Sequence, residues 1–147
     1  MKVLSLLVLV LAGAALTTQS AVNSQLRGSL HSVMWAVLVS YLVGSLAAAA
    51  VLLVSREPAP SLASLGTVKW YQWTGGVLGM VYIAAITFSL PRVGAASLFA
   101  LVVAGQLLTA LVYDHFGLLG LSRSSVTPAR LAGVLFLAAG AYLLNRK

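Results

Sequence analysis

"VMWAVLVSYLVGSLAAAAVLLV", residues 33–54, carries no charged side chain and no proline. At about 1.5 Å per helical residue, such a run matches the ~30 Å hydrocarbon core of a bilayer. It is continuously apolar and does not alternate in ~10-residue pieces, so it reads as a membrane helix and not as a barrel strand. The rest of the chain agrees. Of 147 residues, 61% are hydrophobic and 7% charged, against roughly 25% charged in soluble domains. A water-soluble fold would have to expose much of this apolar surface, whereas in lipid that surface is an asset.

Working outward from this run, four more segments have the length and composition of spans. The five expected spans are 3–22, 33–54, 71–90, 95–113 and 129–144, in a single domain over residues 1–147. The connections "RGSLHS", "SREPAPSLASLGTVK", "PRVG" and "DHFGLLGLSRSSVTP" hold the breakers and most of the charges. Ser125 or Thr127 ahead of Pro128 suits a helix start. Trp70, Tyr71 and Trp73 beside Lys69 have the composition of an interfacial aromatic belt. The opening "MKVLSLLVLVLAGAALTTQSA" also has the make-up of a secretory signal. Its length and the polar-faced continuation "QSAVNSQLR" favour a retained span.

Charge carries the next expectation. The net charge is +7, but the nine Lys and Arg are scattered singly, with no block of the nucleic-acid-binding kind. With five spans and the N-terminus inside, Lys2, Arg56, Lys69, Arg123 and Arg130 are cytoplasmic. Arg27, Arg92, Arg146 and Lys147 are then outside. Orientation follows the excess of positive charge, and here that excess is a single residue. Such a chain can insert both ways, and two opposed copies would form an antiparallel homodimer with the inverted-repeat plan of many transporters.

Polar side chains within spans are the candidate site. Gln19 and Asn23, four apart, share a face of the first helix. Gln106 lies inside the fourth span, with Thr109 three residues on. Lipid offers an amide no hydrogen bond, so these groups either bond across helices or line a polar cavity for a small solute. Arg27 and Arg92 are candidate entrance charges, with snorkelling as the simpler role. Asp114 and His115 stand at the end of the fourth span, at headgroup depth. There a structural clasp to Arg123 or Arg130 competes with a proton-coupling role. Small-residue faces such as Gly75 with Gly79, Gly44 with Ala48, and Gly133 with Gly140 suit close helix packing.

Other chemistry finds no support. There are no cysteines, hence no disulfides or thiolate ligands. The two histidines are far apart and suggest no metal site. No nucleotide, zinc-protease or nucleophile-elbow motif occurs. No cofactor and no enzymatic activity are expected.

Four stretches carry a family resemblance: "GAALTTQSAVNSQLRGSLHSVMWAVLVSYLVGS", "WYQWTGGVLGMVYIAAITFSLPRVGAAS", "AGQLLTALVYDHFGLLG" and "ARLAGVLFLAAGAYL". In the first, Gln19, Asn23, Leu26 and Arg27 repeat a characteristic spacing. Together they resemble the YdcZ-type inner-membrane proteins, placed in the drug/metabolite transporter superfamily. The resemblance runs from about Gly13 to Leu144. It implies an all-α integral membrane protein of the bacterial inner membrane, with five helices and with relatives that are fused pairs of opposed halves. It implies no substrate. The first helix lacks the glutamate of small multidrug exporters, so drug/proton antiport is not carried over. The expected function is secondary transport of a small polar solute through a cavity between protomers. The alternative is a non-transporting membrane subunit or assembly factor whose polar residues are structural.

Overall fold

The computed structural model describes residues 2–145, and the side chains of Lys2 and Asn145 are not among the features described. Arg146 and Lys147, which enter the charge tally, lie outside the described residues. Among the described residues, all regular structure is helical. The main helices are α1 (Lys2–Leu30), α2 (Val33–Ser55), α3 (Leu62–Gly66), α4 (Thr74–Val93), α5 (Ala95–Phe116) and α6 (Pro128–Asn145). A 3₁₀ turn, Trp70–Trp73, leads into α4, and another, Leu118–Gly120, follows α5.

Among the described residues, four helical stretches are long and apolar enough to cross a membrane: Val3–Leu30, Val33–Ser55, Trp70–Val93 and Ala95–Phe116. The apolar stretch Pro128–Leu144 is shorter, because α6 begins at a proline. The expectation of five equivalent spans thus meets four full-length helices and one short one. Thr127 caps α6, its hydroxyl accepting from the Arg130 N–H at 3.3 Å.

Two connections read from sequence as loops are helical. The stretch "RGSLHS" does not separate α1 from α2, since α1 runs on to Leu30 and the turn is His31–Ser32. Nothing in Val22–Leu30 breaks a helix. Ser29 bonds back to the Gln25 carbonyl one turn earlier, as upstream in α1 Thr17 does to Gly13, Thr18 to Ala14 and Ser20 to Leu16. A hydroxyl satisfied in this way can sit in hydrocarbon without a partner helix. Likewise, Pro91–Val93 of "PRVG" stays in α4, and the break falls at Gly94, whose φ of 76° suits glycine. The α5 terminus is set by Gly117 at φ 63°, where the N–H of Gly117 bonds the Tyr113 carbonyl.

The chain forms two compact units, one up to Pro91 and one from Arg92 onward. In the first, α1 packs on α2. The inward face of α1 is Leu16, Ser20, Asn23 and Arg27, at alternating four- and three-residue steps. Ala36 and Val37 of α2 and Ile86 and Thr87 of α4 are buried as well, and Arg27 reaches the Thr87 carbonyl. The opposite half of α1 presents Val3–Leu11 outward. In the second unit α5 packs on α6 along Ser97, Ala100, Ala104, Leu107, Leu111 and Asp114, again in three/four steps. Val134 and Ala141 answer from α6.

Candidate functional site

The polar residues of the first unit gather on the α1–α2 seam. Asn23 is 3% exposed, and its side-chain oxygen accepts a hydrogen bond from the Ser40 hydroxyl. One turn of α1 away, Gln19 stands at the rim of a cavity of about 340 Å³. Ser40, Tyr41, Gly44, Ser45 and Ala48 of α2 and Ile83 of α4 complete its lining. The positions 41, 44, 45 and 48 form one helical face, and Gly44 leaves it open, with no atom near the place of a Cβ.

Tyr41 divides this polar cavity from an apolar one. The second, of about 410 Å³, is lined by Met34, Val37, Leu38 and Tyr41 together with Gly76, Val77 and Met80. The Tyr41 hydroxyl lies 3.5 Å from the Gly76 carbonyl and fills the space over Gly79. Of the Gly75–Gly79 pair, Gly79 is therefore the one used within the chain, and Gly75 faces open space. Sequence reasoning missed Ser40, Tyr41 and Ser45. Their spacing around Gly44 and Ala48 was the available sign.

Arg27, in the last turn of α1, reaches α4: Nη1 donates to the Thr87 carbonyl at 3.5 Å, and the guanidinium stands 5.9 Å from the Phe88 ring centre. Arg92 is exposed in the last turn of α4.

In the second unit, Gln106 and Thr109 lie on the outward face of α5. Each is two residues, or about 200° of helical rotation, from a seam position (Ala104 and Leu107). Thr109 bonds back to the Gly105 carbonyl at 3.0 Å. Gln106 is exposed and its side chain has no hydrogen-bond partner among the described residues.

Asp114 and His115 organise the connection to α6. Asp114 Oδ2 accepts from Arg130 Nη2 at 2.5 Å, and the Asp114 carbonyl accepts from the Ser124 N–H at 2.7 Å. Arg130 Nη1 also donates to the Ser124 carbonyl and hydroxyl. The His115 carbonyl accepts from Arg123 Nε at 3.1 Å, while His115 Nδ1 accepts from the Val126 N–H at 3.4 Å. Both arginines weighed from sequence thus meet this pair, Arg130 through the carboxylate and Arg123 through a backbone carbonyl. Among the described residues, no group of three His, Cys, Asp or Glu gathers to hold a metal ion.

The arrangement offers a polar-rimmed cavity within apolar helices and an ion-paired interfacial turn. This suits recognition and passage of a solute. Comparison with known proteins points the same way. Residues 4–143 match the family profile described as "Putative inner membrane exporter, YdcZ". The chain is also similar to the inner membrane protein YdcZ of Escherichia coli (strain K12). The two are 28% identical over 149 residues, which cover 98% of this chain and 96% of that relative. No solved structure matches. The relative's location and the apolar helices make this a multi-pass protein of the inner membrane, and the family's description makes it a membrane transporter in general. Because the match extends over residues 4–143, from the beginning of α1 to the last turns of α6, the chain belongs to the YdcZ family.

Proposed function

We propose that the chain is a secondary transporter subunit of the drug/metabolite transporter type, which carries a small polar solute unchanged across the inner membrane. The observation that supports this best is the cavity rimmed by Gln19, Ser40 and Ser45. The Gln19 amide and the Ser45 hydroxyl both donate and accept, and Ser40, whose proton goes to Asn23, still accepts, so the rim recognises a neutral polar molecule without fixing its charge. Its volume of about 340 Å³ lies at the small end of ligand pockets, which favours a metabolite over a bulky drug.

The test is a panel of sugars, polyols, amino acids and small organic acids added to the purified protein, read by thermal unfolding. A ligand at a hundred times its Kd stabilises by about 2.7 kcal/mol. One chemical class should raise the Tm, and Gln19→Leu should lose that rise while its unliganded Tm stays unchanged. A panel with no active class, or a Gln19→Leu protein that still responds, would sink the reading in favour of a purely structural membrane subunit.

The working unit is an antiparallel homodimer of five-span protomers. With 18 residues, α6 rises about 27 Å, within the range of about 17–25 residues found for spans. Counting it as a span preserves the near-even Lys/Arg tally. Gln106 supports the pairing: its amide faces outward near the midpoint of α5, where hydrocarbon leaves it unsatisfied. The two-fold axis of an antiparallel dimer lies in the membrane midplane. Only residues at that depth meet their own copies, and an amide paired with its twin satisfies a donor and an acceptor at once.

With no native cysteine in the chain, single substitutions report cleanly. Gln106→Cys should crosslink to itself in membranes. Ala95→Cys, on the same face at the start of α5, should not. Efficient self-crosslinking at both positions means a parallel dimer, and crosslinking at neither means that this face is not the interface.

A further inference from the structure

Pro91 has no backbone N–H, so the Thr87 carbonyl, four residues earlier in α4, lacks its helical donor. Arg27 of α1 replaces that donor, at 3.5 Å. Together with the Phe88 ring at 5.9 Å, this contact holds the guanidinium in place and leaves its charge unneutralised. Among the described residues, no carboxylate answers it. The chain has two acidic residues. Asp114 is bonded to Arg130. Glu57 follows the far end of the 23-residue α2, about 35 Å of helix from the α1–α2 turn. Arg27 is therefore a half-buried, tethered cation with no counter-charge among the described residues.

Beside it opens a cavity of about 340 Å³, lined by Ser24, Arg27, Gly28, His31 and Pro91. Ser24 lies on α1 almost one turn before Arg27. Gly28 keeps the wall flat, with nothing within 4 Å of where a Cβ would be. His31 lines the cavity from a left-handed backbone at φ 52°. That conformation costs a non-glycine residue about 1–2 kcal/mol, and a glycine would meet it freely.

We infer that this cavity is an oxyanion site for a phosphate group. The Arg27 fork supplies charge and paired donors, and the Ser24 hydroxyl and the His31 ring supply further hydrogen bonds. Guanidinium matches phosphate bidentately, and a tetrahedral group with several acceptor oxygens uses donors arriving from α1 and from the turn beyond it. The site lies at the last turn of a membrane helix, at headgroup depth. The phosphate can therefore belong to an anionic lipid or come free from the aqueous phase. The inference does not depend on the transport reading, because it concerns a different cavity from the one rimmed by Gln19.

The test uses full-length protein in a phosphate-free neutral maltoside, followed by thermal unfolding and native mass spectrometry. One arm adds inorganic phosphate. The other adds phosphatidylglycerol, with phosphatidylcholine as the matched neutral-net-charge lipid. At least one arm should stabilise the wild type, with at least tenfold weaker apparent affinity in Arg27→Gln and an intermediate loss in Arg27→Lys, which keeps the charge without the fork. A response to phosphatidylglycerol alone assigns the phosphate to a lipid headgroup, and a response to inorganic phosphate assigns it to the aqueous phase. A wild type that responds to neither probe, or an Arg27→Gln protein that responds like the wild type, overturns the site. Should Arg27→Gln fail to fold, His31→Gly takes its place. It removes a donor while relieving the left-handed strain, and an undiminished response in that variant overturns the site equally.

Discussion

Asn23→Leu should destabilise the protein by about 1–2 kcal/mol, although it replaces a polar residue by an apolar one inside a membrane protein. Asn23 is almost fully buried on the α1–α2 seam, and Ser40 donates to it. Losing an acceptor leaves the donor unpaired, which costs about 1–3 kcal/mol in a protein interior. Two effects lower that figure. Inter-helix hydrogen bonds in membrane proteins average about 0.6 kcal/mol with a maximum near 1.7, and a freed serine can turn back to a carbonyl of its own helix. The discriminating measurement is a double-mutant cycle with Ser40→Ala, read by unfolding in mixed micelles. If the pair is a structural bond, the double variant costs less than the two single variants together. If Asn23 serves only to contact solute, Asn23→Leu keeps its stability, loses any ligand-induced stabilisation, and shows no coupling to Ser40.

This cycle also marks where local sequence stops being informative. The apolar run 33–54 corresponds almost residue for residue to α2, since hydrophobic length and the absence of breakers are local properties. The polar face of Gln19 and Asn23 was legible for the same reason. Its partners Ser40, Tyr41 and Ser45 depend on the register of α1 against α2, which no local pattern encodes. Helix ends were misjudged in one direction. Arg27, and Pro91 with Arg92, marked the level of the headgroups, and that level was read as the end of a helix. A charge ends the hydrocarbon segment, but the helix continues until its backbone is turned, here at His31 and Gly94. Pro91 would ordinarily signal a break. It is accommodated because Arg27, more than sixty positions earlier, bonds the carbonyl that the proline frees. Gln106 shows a third limit. Its depth in α5 was readable, but its face was set by a seam whose phase depends on α6.

Asp114→Ala should cost about 1–2 kcal/mol and loosen the α5–α6 connection, whereas Asp114→Asn should cost clearly less. The ion pair to Arg130 is half-exposed, with side-chain exposures of 28% for Asp114 and 37% for Arg130. It therefore falls between exposed pairs, worth about 0–1 kcal/mol, and buried ones, where removing a partner costs about 3–5 kcal/mol. Alanine deletes every acceptor and strands the guanidinium against the Ser124 contacts that remain. Asparagine keeps an oxygen in place and gives up only the charge-assisted part of the bond. The Asp114 carbonyl continues to hold the Ser124 N–H in both variants, and His115 still meets Arg123 and Val126. The turn should therefore loosen without unravelling, which limited proteolysis between Gly117 and Thr127 can follow. A proton-coupling role for Asp114 predicts instead that the two variants are equally inactive. Asp114→Asn would then be as stable as the wild type, yet as inactive in solute uptake by proteoliposomes as Asp114→Ala, because neither side chain can take up and release a proton. An Asp114→Asn protein that keeps uptake assigns the carboxylate to the clasp. One that folds normally and transports nothing assigns it to the coupling.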